Sequence, residues 1–292
     1  MEDKRKYYKL QLSELEKISA LDKKPTLLMH VCCGPCTSGA LLQVCEHFDV
    51  TLTYNNSNIY PKSEWERRLW TLEEMLKKFE AKYSYHIKLI PFAYEGSKYT
   101  HDVLSKYPNE VEGGKRCHEC YEARMLEAYS FASENGFDYF TTVMTISRQK
   151  DSLVLNSIGE KLSHRFPNTK YFYSDFKKGG GQVIKHELTS EFELYDQNYC
   201  GCVYTYQDGQ KRNLAALAKQ KENELNELPN NNSINHFTQS ENRVLDLYDH
   251  SNIRLPLDIL EDLSTLSFQS EKEIFEFIEN QRIYWKLENQ KK

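Results

Sequence analysis

Eight cysteines stand in the chain, and seven of them fall into tight groups: Cys32, Cys33 and Cys36 together, Cys117 and Cys120 as a CxxC, Cys200 and Cys202 as a CxC. Thiolates are soft ligands that suit zinc, copper(I) and iron-sulfur clusters. Cys117 falls at the start of an expected helix, where the N-terminal end lowers a thiol pKa and favours the metal-bound form. Four such ligands hold one four-iron four-sulfur cluster, and four also complete a structural zinc site, the ordinary reading of two CxxC pairs. Seven exceeds either by three. Cys32 and Cys33 are adjacent, and on an extended backbone their side chains alternate, so the pair is not expected to chelate one small ion. Two neighbouring metal centres account for the number better than one.

The remaining thiol, Cys45, has no partner at ligand spacing and reads as core. His30, just before the first group, reads as a packed strand residue, and His118, inside the CxxC, as exposed or supporting.

The elements that must position these groups follow from hydrophobic periodicity. TLLMHV (26–31) is a short apolar strand running into CCGPCTS and then a helix-like GALLQVCEHF. DVTLTYNN (49–56) and IKLIPFAY (87–94) are further strands. Between them SEWERRLWTLEEMLKKFEAKY opens with a capping box, Ser63 and Glu66, and continues as a long amphipathic helix. A helix from about Cys117 closes at Gly136, and DYFTTVMTIS supplies a fourth strand. This alternation predicts an α/β fold, a parallel sheet flanked by helices. Its reactive crevice lies outside the carboxyl ends of the strands, where CCGPC and the turn TISRQKDS both fall. Arg148 and Lys150, in that turn, are the candidate substrate-binding residues. A helix (152–166), a short strand YFY (171–173) and the glycine triplet Gly179 to Gly181 follow; the triplet lacks a P-loop Lys-Ser and reads as a flexible loop.

A length of 292 residues suggests one main domain and an appendage. We expect a metal-binding domain over 1–226, a polar linker over 227–235 and a helical C-terminal extension over 236–292, with no internal repeats. No run approaches bilayer-spanning length, the N-terminus has no leader-like pattern, and clustered cysteines suit a reducing compartment, so a soluble cytoplasmic protein without a membrane partner is expected. A net charge of −5 argues against indiscriminate nucleic-acid binding. Local basic stretches remain at Lys62, Arg67 and Arg68, at Lys115 and Arg116, and at Lys177, Lys178 and Lys185. Tyr60, Trp65, Tyr121 and Tyr171 are aromatic platforms for a base only in principle, each being more often packing.

Taken together, LLMHVCCGPC (27–36), NSNIYPKSEWERR (56–68), RCHECYEARM (116–125), GFDYFTTVMTIS (136–147), DFKKGGG (175–181) and LYDQNYCGC (194–202) resemble the cobalamin-independent epoxyqueuosine reductases of bacterial tRNA modification. HxCC followed by PC, RCxxCY and QxYCGC in this order is specific, and the motifs span roughly residues 26 to 206. The tail beyond about residue 210 carries none of them. The resemblance implies a fold related to the adenine-nucleotide α-hydrolase (HUP-like) group. It implies a four-iron four-sulfur cluster and a second, mononuclear iron, held between them by Cys32, Cys33, Cys36, Cys117, Cys120, Cys200 and Cys202 in a division left open, with no cobalamin. It further implies the last step of queuosine synthesis, deoxygenation of wobble epoxyqueuosine in tRNA; for that step we expect the iron to act as a Lewis acid on the epoxide oxygen and the cluster to relay electrons from an external donor. No GxGxxG accompanies the first strand, so that donor is a low-potential protein or chemical reductant. Tyr199, Asp175 and His30 are candidate proton donors. A cysteine-dependent tRNA thiolase would need the SGGxDS-type phosphate loop that this chain lacks, and a zinc-stabilised tRNA-binding module would be colourless and insensitive to oxygen.

Overall fold

The computed structural model describes residues 5–227, with side chains to 216. The chain divides into compact units 1–215 and 216–292, and the first contains every cysteine. The expected linker 227–235 and extension 236–292 lie outside the described residues, save Glu227.

The described elements are α1 (Lys6–Ser19), β1 (Thr26–His30), α2 (Gly34–Leu41), β2 (Asp49–Tyr54), α3 (Lys62–Tyr83), β3 (Lys88–Pro91), α4 (Gly96–Asp102), α5 (Lys115–Glu134), β4 (Tyr139–Thr142), α6 (Ser152–Ser163), β5 (Lys170–Tyr171), α7 (Gly181–Glu191) and α8 (Val203–Glu227), with short 3-10 turns at Leu104–Lys106 and Val143–Ile146. Five parallel strands form one sheet in the order β3-β2-β1-β4-β5. This is the α/β architecture expected from the alternating pattern. Among the described residues no helix is long and apolar enough to cross a membrane.

β1 is central and buried on both faces, which explains its unbroken apolar run. Leu27, Met29 and Val31 pack with residues of α2, α3 and α7, whereas Leu28 packs with residues of α5 and α6. The period of two along one strand thereby separates two helical layers.

Several boundaries differ from expectation. α3 starts at Lys62 behind Pro61, with no side-chain cap, so Ser63 and Glu66 form no capping box. Pro61, which has no amide hydrogen to leave unpaired, occupies the N-cap position instead. α2 begins at Gly34, five residues before the expected helix, with Pro35 in its first turn, and ends at Leu41. Cys45 then lies in the following turns, buried, as a core thiol. The closing Gly136 has φ +70, the left-handed conformation expected of it.

The glycine triplet is a specified turn rather than a slack loop. Gly179 and Gly180 have φ +60 and +81, and Gly180 is the N-cap of α7. A Cβ on Gly181 would lie 1.9 Å from the Phe176 carbonyl oxygen, and one on Gly39 would lie 2.7 Å from that of Gly181. α2, which carries Cys36, is thus seated against α7 through backbone contact. Gly39→Ala is expected to lower unfolding free energy by about 1–3 kcal/mol through overpacking. Gly209→Ala, at a position in α8 where a Cβ meets nothing within 4 Å, should instead stabilise by about 0.5–1 kcal/mol; urea unfolding of both variants checks the contrast.

Candidate metal centre

β1 ends at His30, and the chain turns at once into α2. Cys33, with extended backbone, is the N-cap of that helix, and Cys36 lies in its first turn. The bend cancels the alternation expected of adjacent residues: the sulfurs of Cys32, Cys33 and Cys36 all lie within 4.8 Å of one another. The expectation that Cys32 and Cys33 would not converge is therefore corrected. A single ion with metal–sulfur bonds of about 2.3 Å requires sulfurs this close.

Hydrogen bonds from Cys33 and Cys36 hold the Cys32 thiol well below its usual range, helped by the Lys150 and Arg124 charges. Burial pushes Cys33 up, Cys32 pushing the same way, and Cys32 pushes Cys36 up to about 12. One thiolate forms readily and then opposes ionisation of its neighbours, the condition that a bound cation relieves.

Cys117 and Cys120 occupy the first turns of α5 behind its N-cap, Gly114. Burial raises both thiols rather than leaving them lowered by the helix terminus, and in each case Cys200 and Cys202 add to the rise. Gly201, at φ +130, sets the bend of the CxC, and Cys120 packs with Cys202 beside Leu104. The second group thus unites the CxxC and the CxC.

Two cations join the groups. Burial would lower the half-buried Lys150, but Cys200 and Cys32, one from each group, hold its ammonium above its usual range. Arg124 is buried in the same way, opposed by Cys120, Tyr99, Cys32 and Cys200. Its guanidinium donates to Asn56 Oδ1 (3.2 Å) and the Cys120 carbonyl (3.4 Å) and touches Met144 Sδ. It pairs with no carboxylate among the described residues. A buried charge needs a partner, and the thiolates supply it. Arg148, by contrast, is exposed on the turn.

The segment 195–202 straps both groups together. Arg68, buried in α3, bonds Glu64 Oε1 at 2.7 Å and donates to the carbonyls of Cys200 (3.1 Å) and Tyr199 (3.2 Å). Tyr195 donates to Glu64 (3.1 Å) and lies under the Arg67 guanidinium, 3.6 Å from its ring centre. The Gln197 amide donates to Cys33 Sγ (3.2 Å). Other sulfurs also have neighbours: the Gly113 N–H donates to Cys117 (3.2 Å), the Tyr99 hydroxyl is 3.5 Å from Cys120, and that of Thr205 is 3.6 Å from Cys202. Donors to ligand sulfurs tune a bound metal.

The donor set fits iron: soft thiols in two sets and, among the described residues, cations without carboxylates and the buried His30 Nε2 and Gln197 Oε1 without partners. Burial first and Arg124 second push the His30 imidazole down to about 3, so it is neutral near pH 7, with Nδ1 2.8 Å from Thr142 Oγ1. Tyr199 donates its hydroxyl to the Tyr60 carbonyl (2.6 Å) and Asp175 pairs with Lys177 (3.3 Å). Of the expected basic surface, Arg68 and Arg116 are buried instead, Arg116 donating to the carbonyls of Tyr107 and Pro108. Tyr121 and Tyr171 are buried packing.

A parallel α/β sheet with gathered thiols, cations and a closing strap at its carboxyl edge is a scaffold with the donor set of a cysteine-ligated metal centre. Residues 27–208 match the family model of epoxyqueuosine reductase QueH, and the chain belongs to that family of reductases. It is 38% identical to the epoxyqueuosine reductase QueH of Streptococcus pyogenes serotype M1, over 62% of this chain and 70% of that one. The Staphylococcus epidermidis protein of the same name is 34% identical over 62% and 76%. A U34-tRNA thiolase, NcsA from Methanococcus maripaludis, solved with a four-iron four-sulfur cluster, aligns over 76% of this chain and 81% of its own, at TM-score 0.37 and 13% identity; a likeness that low transfers neither fold nor cluster. The tail, which carries none of the reductase motifs, is covered by a second match: residues 208–292 fit the model of bacteriophage phi-29 early protein GP16.7.

Arg68→Met would leave the buried Glu64 carboxylate without its cationic partner and free two strap carbonyls. It is expected to cost about 3–5 kcal/mol, with the added change Glu64→Leu recovering part of the loss in urea unfolding. Cys45 provides a pH test. Burial pushes its thiol up to about 12, so its contribution to stability is complete below the ordinary thiol pKa and declines as pH rises from there toward 12. Between pH 8 and 10.5 the wild type should lose stability more steeply than Cys45→Ala.

Proposed function

We propose that this protein reduces epoxyqueuosine to queuosine at the wobble position of tRNA. The reaction removes the epoxide oxygen: with two electrons and two protons, both C–O bonds break, a C=C bond forms and water leaves. The observation that carries the reading is the gathering of the Cys32, Cys33 and Cys36 sulfurs within 4.8 Å of one another, in a chain whose residues 27–208 match the reductase family.

In our reading Cys117, Cys120, Cys200 and Cys202 hold a four-iron four-sulfur cluster, whose thiolates must each reach a different iron. Cys32, Cys33 and Cys36, close enough for one ion, hold a mononuclear iron. When bound, these groups supply electrons and Lewis acidity without cobalamin.

The chain's own residues have separate tasks. The Lys150 ammonium and the buried Arg124 balance thiolate charge and favour an anionic oxygen arriving between the two groups. Arg148, exposed on the same turn, meets substrate phosphate. The wobble nucleoside is splayed out of the anticodon loop to reach this edge. Electrons come from an external low-potential donor, and the setting is the cytoplasm.

Anaerobic reconstitution, metal analysis and incubation with epoxyqueuosine-containing tRNA and a strong reductant test the proposal. The expected result is a brown protein with more than four irons per chain that yields queuosine; a colourless zinc protein without product overturns it. Cys33→Ala and Cys120→Ala should each lower activity by more than about 100-fold, since losing a ligand disables its metal, while Cys45→Ala stays within about twofold. An active Cys120→Ala enzyme sinks the ligand assignment.

A further inference from the structure

Gln197 has two hands, and only one is occupied. Its Nε2 donates to Cys33 Sγ at 3.2 Å, while its Oε1 is buried and has no partner among the described residues. The orientation follows from chemistry: a sulfur prepared to bind metal accepts hydrogen bonds, so the amide nitrogen faces it and the oxygen turns away.

The side chain is placed by its neighbours along the strap. Asp196 pairs with Lys185 (3.1 Å), Tyr195 is held by Glu64 and Arg67, and Arg68 fixes the carbonyls of Tyr199 and Cys200. With the backbone pinned on both sides, the amide has little freedom to seek a partner elsewhere. A buried carbonyl oxygen left without a donor is unfavourable, so the site favours a ligand that brings an O–H to this point, beside Cys33.

We propose that Gln197 is a positioning residue that reads the substrate: Nε2 holds the Cys33 sulfur, and Oε1 accepts a hydrogen bond from a hydroxyl group of the bound nucleoside. This role rests on the proposed function, because the hydroxyl belongs to that substrate. It gives a task to the glutamine of QxYCGC.

The test uses full-length holoenzyme reconstituted anaerobically with 57Fe, as wild type, Gln197→Met and Gln197→Glu. Methionine keeps the length and removes both hydrogen bonds; glutamate keeps an acceptor oxygen and, ionised, removes the donor. Gln197→Met should load wild-type iron but lower kcat/KM about tenfold, the size of one lost hydrogen bond, and should displace the Mössbauer doublet of the mononuclear iron before substrate is added. Gln197→Glu should recover kcat/KM to within about threefold of wild type while the doublet stays displaced. Wild-type kcat/KM and an unmoved doublet in Gln197→Met overturn the proposal. So does a loss that Gln197→Glu fails to recover, since the residue would then only support the strap. If wild-type holoenzyme yields no queuosine, the functional reading itself fails; the doublet, read without substrate, still decides whether Gln197 holds the Cys33 sulfur.

Discussion

Sulfurs gathered at one buried edge repel one another once ionised, and the rest of the molecule is arranged around that repulsion. The Cys32 thiol is pushed down while Cys33 and Cys36 are pushed up, and burial raises Cys117 and Cys120. Lys150 and Arg124 oppose the repulsion from within the fold. Arg124 is the clearest sign. A guanidinium with no carboxylate would be out of place in a protein core, and it is explained here by the thiols it faces.

Geometry delivers those charges economically. The strand-to-helix turn after β1 folds three thiols inward, the start of α5 offers two more, and the strap before α8 brings the last pair across from the other end of the domain. Arg68 closes the strap with one side chain that meets Glu64 on its own helix and two carbonyls beyond it. Gly39 and Gly181 let α2 and α7 approach closely enough to seat the first group.

Strands, their parallel order and the seven thiols are legible in the sequence because apolar runs, glycine stops and cysteine spacing are local signals. The convergence of Cys32 with Cys33 is not, because it depends on Pro35 and the early start of α2, which turn an extended pair into a bend. The buried arginines escape the sequence for a related reason. Arg68 and Arg116 sit in basic stretches that look like solvated surface, and only tertiary contacts reveal their burial, although the Glu64–Arg68 spacing of four is a signal for the helical pair. Tyr99 and Thr205 carry no signature at all, and Gln197 stands in a motif that does not reveal which sulfur it meets. Each meets its sulfur through the fold, Gln197 at a separation of 164 residues.

That separation sets an order of events during synthesis. A chain emerging from the ribosome can form β1, the first three thiols and α5 long before the strap exists, but neither Gln197 nor the CxC can arrive until the domain is almost complete. The two thiol groups are therefore completed at different times: Cys32, Cys33 and Cys36 are present first, and Cys33 waits for the amide that meets its sulfur.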